Sequence, residues 1–237
     1  MSDEGEEPRR RLVRPPSGGD PAGRGQSQRL KTAKMRTPSQ QHWLQRQIDD
    51  PYAAAARAAG YRSRAAFKLK EMDDRFGFLK PGGRVVDLGC APGGWVQVAM
   101  ERGAGKVVGV DLLPVDPLPP AEMILGDFTD PEVGPELIRM LGGAPDVVLS
   151  DMAPNTVGHR ETDHLRIMGL IELAAAFAEQ VLRPGGVFVT KSFQGGGSAE
   201  MMAALRGRYE QVRNVKPKAS RTESSEVYLL AMGLRAR

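Results

Sequence analysis

Two sets of residues in this chain of 237 have types and spacings that could do chemistry. The first could hold a nucleotide-like ligand. The apolar run Arg84–Leu88 opens into Asp87-Leu88-Gly89-Cys90-Ala91-Pro92-Gly93-Gly94-Trp95. Small residues at a strand end let the backbone approach a ligand, and a helix starting there offers unpaired N–H groups. The loop lacks the Gly-x-Gly-x-x-Gly spacing of a dinucleotide site, so a ligand without a pyrophosphate fits better. A second apolar run ends at Asp111 and a third at Asp127, with Phe128 beside it. An acid roughly 20 residues beyond the glycine loop, at the tip of the second strand, is placed to hold ribose hydroxyls. Asp127 could accept a hydrogen bond from an adenine amine. Either acid alone reads equally as a cap or turn residue. Three such features at successive strand ends make the joint reading stronger.

The second set is amines and carboxylates. Asp151 follows the fourth apolar run in Ser150-Asp151-Met152-Ala153-Pro154-Asn155, and Lys191 follows the fifth in Thr190-Lys191-Ser192-Phe193. Glu226 stands at the start of the last run. Lys68 sits between Phe67 and Leu69 on an amphipathic stretch whose apolar residues form a buried stripe, an odd place for a charge. Each of the four could also be a surface charge on an exposed tip.

These residues need a scaffold, and the pattern supplies one. From residue 84 apolar runs alternate with helical periodicity. Strands are expected at Arg84–Leu88, Lys106–Val110, Met123–Leu125, Asp146–Ser150, Val187–Thr190, Val212–Val215 and Val227–Met232. Helices are expected at Trp95–Glu101, Pro131–Leu141, His164–Leu182 and Ala199–Arg208. Such alternation predicts an α/β fold, a mostly parallel sheet with helices on both faces. The last two strands have no helix between them and read as an antiparallel edge hairpin. Before the sheet, short helices are expected at Gln40–Gln47 and Ala53–Ala59, then a longer one at Arg64–Arg75 capped by Ser63. His159 and His164 read as part of a loop and helix start after Pro154, with no metal-ligand set around them.

Composition narrows the class. Hydrophobic residues are 41% and charged residues 26%, ordinary for a globular protein. The single cysteine, Cys90, excludes an internal disulfide framework and a multi-cysteine zinc site. No apolar run reaches the roughly 18 residues of a spanning helix. Net charge is +4, but it is segregated. Residues 1–38 are rich in Pro, Gly, Ser and Arg and read as a disordered basic extension, distinct from a domain over 39–237. The stretch 57–70 carries Arg57, Arg62, Arg64, Lys68 and Lys70 without an acid. The stretch 206–221 carries Arg206, Arg208, Arg213, Lys216, Lys218 and Arg221 against Glu210 alone. Residues 71–205 between them hold ten basic and nineteen acidic residues, and basic flanks around an acidic middle suggest a polyanionic partner, although solvated helix faces would give the same composition.

The sequence resembles the FtsJ/RlmE family of ribosomal RNA large-subunit methyltransferases. The matching stretches are Gly60 to Leu69, Asp87 to Trp95, Ser150 to Asn155, Lys191-Ser192-Phe193 and Arg221 to Tyr228. The resemblance implies a Rossmann-like class I fold dependent on S-adenosylmethionine, with no metal. It implies a catalytic Lys-Asp-Lys-Glu tetrad at Lys68, Asp151, Lys191 and Glu226, and cofactor contacts at Gly93, Trp95, Asp111, Asp127 and Asp151. The implied reaction is methylation of a uridine 2′-hydroxyl in 23S rRNA by a cytoplasmic monomer, with 57–70 and 206–221 as its RNA footprint. Lys191 is the expected base and must be neutral when it takes the proton. A 2′-O-methyltransferase acting on tRNA or an mRNA cap, and a ribosome-assembly factor whose catalysis is dispensable, are the alternative readings.

Overall fold

The computed structural model describes residues 50–154, 158–194 and 199–236. The basic extension 1–38 and the helix expected at 40–47 lie outside the described residues, as does Asn155. Contacts divide the chain into Met1–Pro51 and Tyr52–Arg237, and the second unit holds the sheet.

Among the described residues, two helices precede the sheet, α1 (Pro51–Ala58) and α2 (Ala65–Phe76). Then come β1 (Arg84–Leu88), α3 (Gly94–Glu101), β2 (Lys106–Asp111), β3 (Glu122–Leu125), α4 (Val133–Leu141) and β4 (Val147–Ser150). The chain finishes with α5 (Arg160–Val181), β5 (Val187–Phe193), α6 (Ala199–Arg208), β6 (Tyr209–Val215) and β7 (Glu226–Leu234). The sheet order is β3-β2-β1-β4-β5-β7-β6. β1 to β5 run parallel, and β7 is antiparallel to both β5 and β6. This is the expected α/β sheet with its antiparallel pair at one edge. β1 lies between β2 and β4, so the strand order reverses there, and the crevice beyond those strand ends is where such sheets bind ligands.

Alternate residues of each strand serve opposite cores, since the side-chain period of a strand is two. Val86, Leu88, Val108, Val148 and Phe188 pack with Leu137, Ala174 and Leu205 of α4, α5 and α6. Val85, Val107, Leu149, Val189 and Leu230 pack with Leu69 and Met72 of α2 and Trp95 and Val96 of α3. Continuing that second series by two residues gives Asp87, Asp151 and Lys191; backwards along β7 it gives Tyr228 and Glu226. The pattern that builds this core therefore delivers the polar residues to its upper rim, beside Lys68 of α2.

Several boundaries differ from the sequence reading, each for a tertiary reason. β5 runs on to Phe193 because β7 pairs with it as far as Phe193↔Glu226. β6 begins at Tyr209, whose buried ring pairs opposite Leu234, although Glu210 and Gln211 hide the pattern. Those polar residues face solvent on an edge strand, where charge discourages pairing with another chain. α5 begins at Arg160, where the His159 side chain accepts the Thr162 N–H as its cap. Ser63 does not cap α2: the cap position is Arg64, with no side-chain cap bond. Ser63 packs instead against Gly94, where its Oγ occupies the space a Cβ would need.

Two strand ends meet closely at the reversal point. Gly89 has φ +80°, and a Cβ there would stand 3.0 Å from the Met152 backbone nitrogen. Beside it, Asp87 is 1% exposed, and neither carboxyl oxygen has a hydrogen-bond partner among the described residues. Burial, then the nearby Asp151 and Asp111 carboxylates, push its pKa well above the usual carboxylate range. The folded state thus favours the protonated acid. Its contribution to stability is complete below about pH 4 and is lost as pH rises toward the raised value. Asp87→Asn removes this term. In urea unfolding the variant should be more stable than the parent at pH 7, with the gap closing by about pH 4. A pH-independent difference would contradict the assignment.

Candidate active site

Lys68 rises from α2 among apolar neighbours and is 9% exposed. Its Nζ lies 2.6 Å from Glu226 Oε1 and donates to the Tyr228 hydroxyl at 3.2 Å. Lys191, on β5, donates to the Asp151 carbonyl at 2.6 Å and to Asp151 Oδ1 at 3.0 Å. The Tyr228 hydroxyl in turn donates to Asp151 Oδ1 at 2.9 Å. All four sequence-selected amines and carboxylates are therefore brought together as two ion pairs bridged by one phenol. The residue missed from sequence is that phenol. Its signal was present: Glu226 and Tyr228 are two apart on one strand and so share a face.

The bridge is rigid. Lys191 pairs opposite Tyr228 across β5 and β7, so their side chains share a face. The Tyr228 ring is fully buried against Trp95, with centroids 5.6 Å apart. Burial, then the Asp151 and Glu226 charges, hold its pKa well above that of a free phenol, so it remains a donor. Glu226 is fixed from outside by Ser220, whose hydroxyl donates to Oε1 at 2.9 Å. Ser220 lies on the β6–β7 connection, which Glu71 of α2 ties down by accepting the N–H groups of Lys218 at 2.9 Å and Ala219 at 3.3 Å.

Asp151 also faces a crevice of about 280 Å³ with Gly89, Ala91, Asp111, Asp127 and Phe128 on its walls. Asp111 accepts the N–H of Ala91 at 2.8 Å and of Leu113 at 2.9 Å, so it acts at least as a loop clamp. Asp127 Oδ1 accepts the N–H and hydroxyl of Thr129 at 2.9 and 2.7 Å, which lowers its pKa. Both acids thus have the turn role the sequence allowed, and both line the crevice. The exposed Leu112 and Leu113 stand at its rim. Gly93 and Trp95 are not among its lining residues. Gly93 caps α3 with φ 109°, and the Trp95 indole is buried, donating to the Ala65 carbonyl at 2.8 Å. What remains to Trp95 toward a ligand is its backbone, in the first turn of α3 where amides lack intrahelical partners. Small residues, two acids at successive strand ends and an aromatic wall suit S-adenosylmethionine.

The basic stretches prove mixed. Arg62 donates to three backbone carbonyls, and Lys70 pairs with Glu101 at 2.6 Å. Lys216 donates to the Ser224 and Thr222 carbonyls at 2.8 and 3.2 Å. Arg57 and Lys218 are exposed.

Comparison with known proteins agrees with this geometry. The family model for FtsJ-like methyltransferases matches residues 61–234. A Caulobacter sp. (strain K31) protein named ribosomal RNA large subunit methyltransferase E is 62% identical over 95% of this chain and 100% of its own. A Caulobacter vibrioides protein of the same name is 60% identical over the same shares. A solved Plasmodium falciparum structure named as a ribosomal RNA methyltransferase is 32% identical with a TM-score of 0.67, covering 75% of this chain and 100% of that one. A family match across most of the chain, on a sheet that carries both the crevice and the four converging side chains, is decisive: the chain belongs to the FtsJ-like methyltransferase family.

Proposed function

We propose that this enzyme methylates the 2′-hydroxyl of a uridine ribose in 23S rRNA of the large ribosomal subunit. The observation that carries the reading is the convergence of Lys68, Asp151, Lys191 and Glu226 through Tyr228, with Asp151 also walling the cofactor crevice. The names of the Caulobacter relatives support large-subunit RNA as the substrate.

The cofactor is S-adenosylmethionine, which when bound supplies an electrophilic sulfonium methyl. Gly89, Ala91, Asp111, Asp127 and Asp151 would hold it, with the backbone of Gly93 and Trp95 at the start of α3. A ribose hydroxyl is a weak nucleophile until its proton is taken or its developing charge is stabilised. To act as base, Lys191 first releases one ammonium proton to water; the neutral amine then has two N–H bonds and one lone pair. Its two contacts to Asp151 use both N–H bonds and leave the lone pair for the 2′-proton. Lys68, held by Glu226 and Tyr228, keeps one N–H for the oxygen as negative charge grows. Asp151 orients Lys191, and Glu226 orients Lys68. Rigid positioning on strands and a helix supplies much of the remaining acceleration.

In the same reading, the exposed Arg57 and Lys218 meet rRNA phosphates, and the basic extension 1–38 adds sequence-blind, salt-sensitive affinity to the methyltransferase domain 39–237. Among the described residues no helix is long and apolar enough to cross a membrane. A monomer in the cytoplasm, where ribosomes are built, fits this role.

Three experiments test the chemistry. Lys191→Ala should lower the single-turnover rate on large subunits by about 10²–10⁴-fold while cofactor affinity, read by calorimetry, stays within about twofold. In parallel, mapping of 2′-O-methyl marks in cells without the protein should lose one large-subunit uridine. Loss of a tRNA or cap mark instead would redirect the substrate, and a full rate in Lys191→Ala would remove its role as base. Tyr228→Phe keeps the ring against Trp95 but leaves Asp151 and Lys68 without their shared partner. It should slow methyl transfer about tenfold and lower the melting temperature by a few degrees. Unaltered turnover would reduce the phenol to packing.

A further inference from the structure

Arg62 lies in the basic segment that reads from sequence as part of an RNA surface, yet its side chain is committed within the protein. Its guanidinium donates from Nη1 to the Pro92 carbonyl at 3.2 Å and the Asp116 carbonyl at 2.6 Å, and from Nη2 to the Pro117 carbonyl at 3.0 Å. Pro92 belongs to the glycine loop after β1; Asp116 and Pro117 belong to the connection between β2 and β3. We propose that Arg62 is a positioning residue for the cofactor site, clasping these two loops into the shape that receives S-adenosylmethionine, rather than a phosphate contact for RNA. The inference rests on the cofactor assignment above.

Three further observations support the clasp. The backbone N–H of Arg62 donates to Gln97 Oε1 at 2.8 Å, and Gln97 Nε2 donates to the Gly60 carbonyl at 2.9 Å. The segment before α2 is thereby fastened to α3, whose first turn follows the glycine loop. The loops approach so closely that a Cβ on Gly93 would stand 2.7 Å from Leu118 Cδ1 and 3.1 Å from Arg62 Nη1. Asp111 ties the same two loops at the other end through the N–H groups of Ala91 and Leu113. Ala91, Leu112 and Leu113 line the crevice between these ties.

The chemistry selects arginine. Three carbonyl oxygens converging on one point repel one another unless a cation with several donors lies between them. A planar guanidinium presents a fork of donors that spans them, whereas an ammonium is a single point. Released carbonyls would turn outward to water, and the loops would open.

Arg62→Lys separates the two roles, because it keeps the charge that an RNA phosphate would feel but cannot span three carbonyls. With the full-length protein, calorimetry should show S-adenosylmethionine binding weakened about fivefold in Arg62→Lys and about tenfold in Arg62→Ala. The KM for the cofactor should rise in step, with kcat at saturating cofactor within about twofold of the parent. Affinity for large-subunit rRNA and its salt slope should stay unchanged in both variants. Parental cofactor affinity in Arg62→Lys overturns the proposal. So does Arg62→Ala binding cofactor normally while losing RNA affinity and about one unit of salt slope. Should Arg62→Ala fail to fold, Arg62→Lys alone decides. A parent that does not bind S-adenosylmethionine would instead refute the cofactor assignment and leave the clasp as loop structure.

Discussion

One buried hydroxyl joins the functional groups of this protein into a single site. The Tyr228 oxygen accepts from Lys68 and donates to Asp151, and so connects the Lys68–Glu226 pair to the Lys191–Asp151 pair. Charges this poorly exposed are expensive to remove from water, and mutual attraction repays that only with good geometry and additional hydrogen bonds. Each group here has such a bond: Glu226 accepts from Ser220, Asp151 accepts from Tyr228, Lys191 donates to the Asp151 carbonyl and Lys68 donates to the Tyr228 hydroxyl. The phenol suits the bridge because burial and two flanking carboxylates keep its proton in place.

The sheet exists around that constraint in a specific register. Pairing of β5 with β7 sets Lys191 opposite Tyr228, and the face parity of β4 turns Asp151 the same way. Asp151 lies one residue beyond its strand, yet its N–H is held by the Leu88 carbonyl at 3.1 Å. A one-residue slip of β7 would turn Tyr228 and Glu226 to the opposite face, so the core packing of Leu230 and the chemistry are set by one choice. The strand-order reversal between β1 and β4 then makes Asp151 common to the ion-pair cluster and the crevice.

The basic segments show how charge counting and structure part company. Loops between secondary elements carry backbone carbonyls that need donors. Arg62 supplies them for the loops after β1 and β2, and Lys216 for the β6–β7 connection. Such cations look like an RNA footprint in sequence but are bound first by the protein itself. Arg57 and Lys218 stay exposed.

What the amino-acid order settled by itself was local and periodic. The alternation of strands and helices, the glycine loop, Asp111 and Asp127 at strand tips, and the misfit of Lys68 in an apolar stripe are all readable within short windows, because side-chain period and turn chemistry are short-range properties. The extension of β5 to Phe193, the start of β6 at Tyr209 and the loss of the Ser63 cap were not readable, because partners distant in the chain decide them. The same holds for the site. Lys68, Asp151, Lys191 and Glu226 could be named along the chain, but the bridging contacts of Tyr228 and the bonds of half-buried Arg62 to three carbonyls join residues 30 to 160 positions apart, and the anchoring of Glu226 by Ser220 depends on the β6–β7 connection that Glu71 holds. Only the folded sheet brings those atoms within hydrogen-bond reach, and hydrogen bonds act over ångströms, not along sequence.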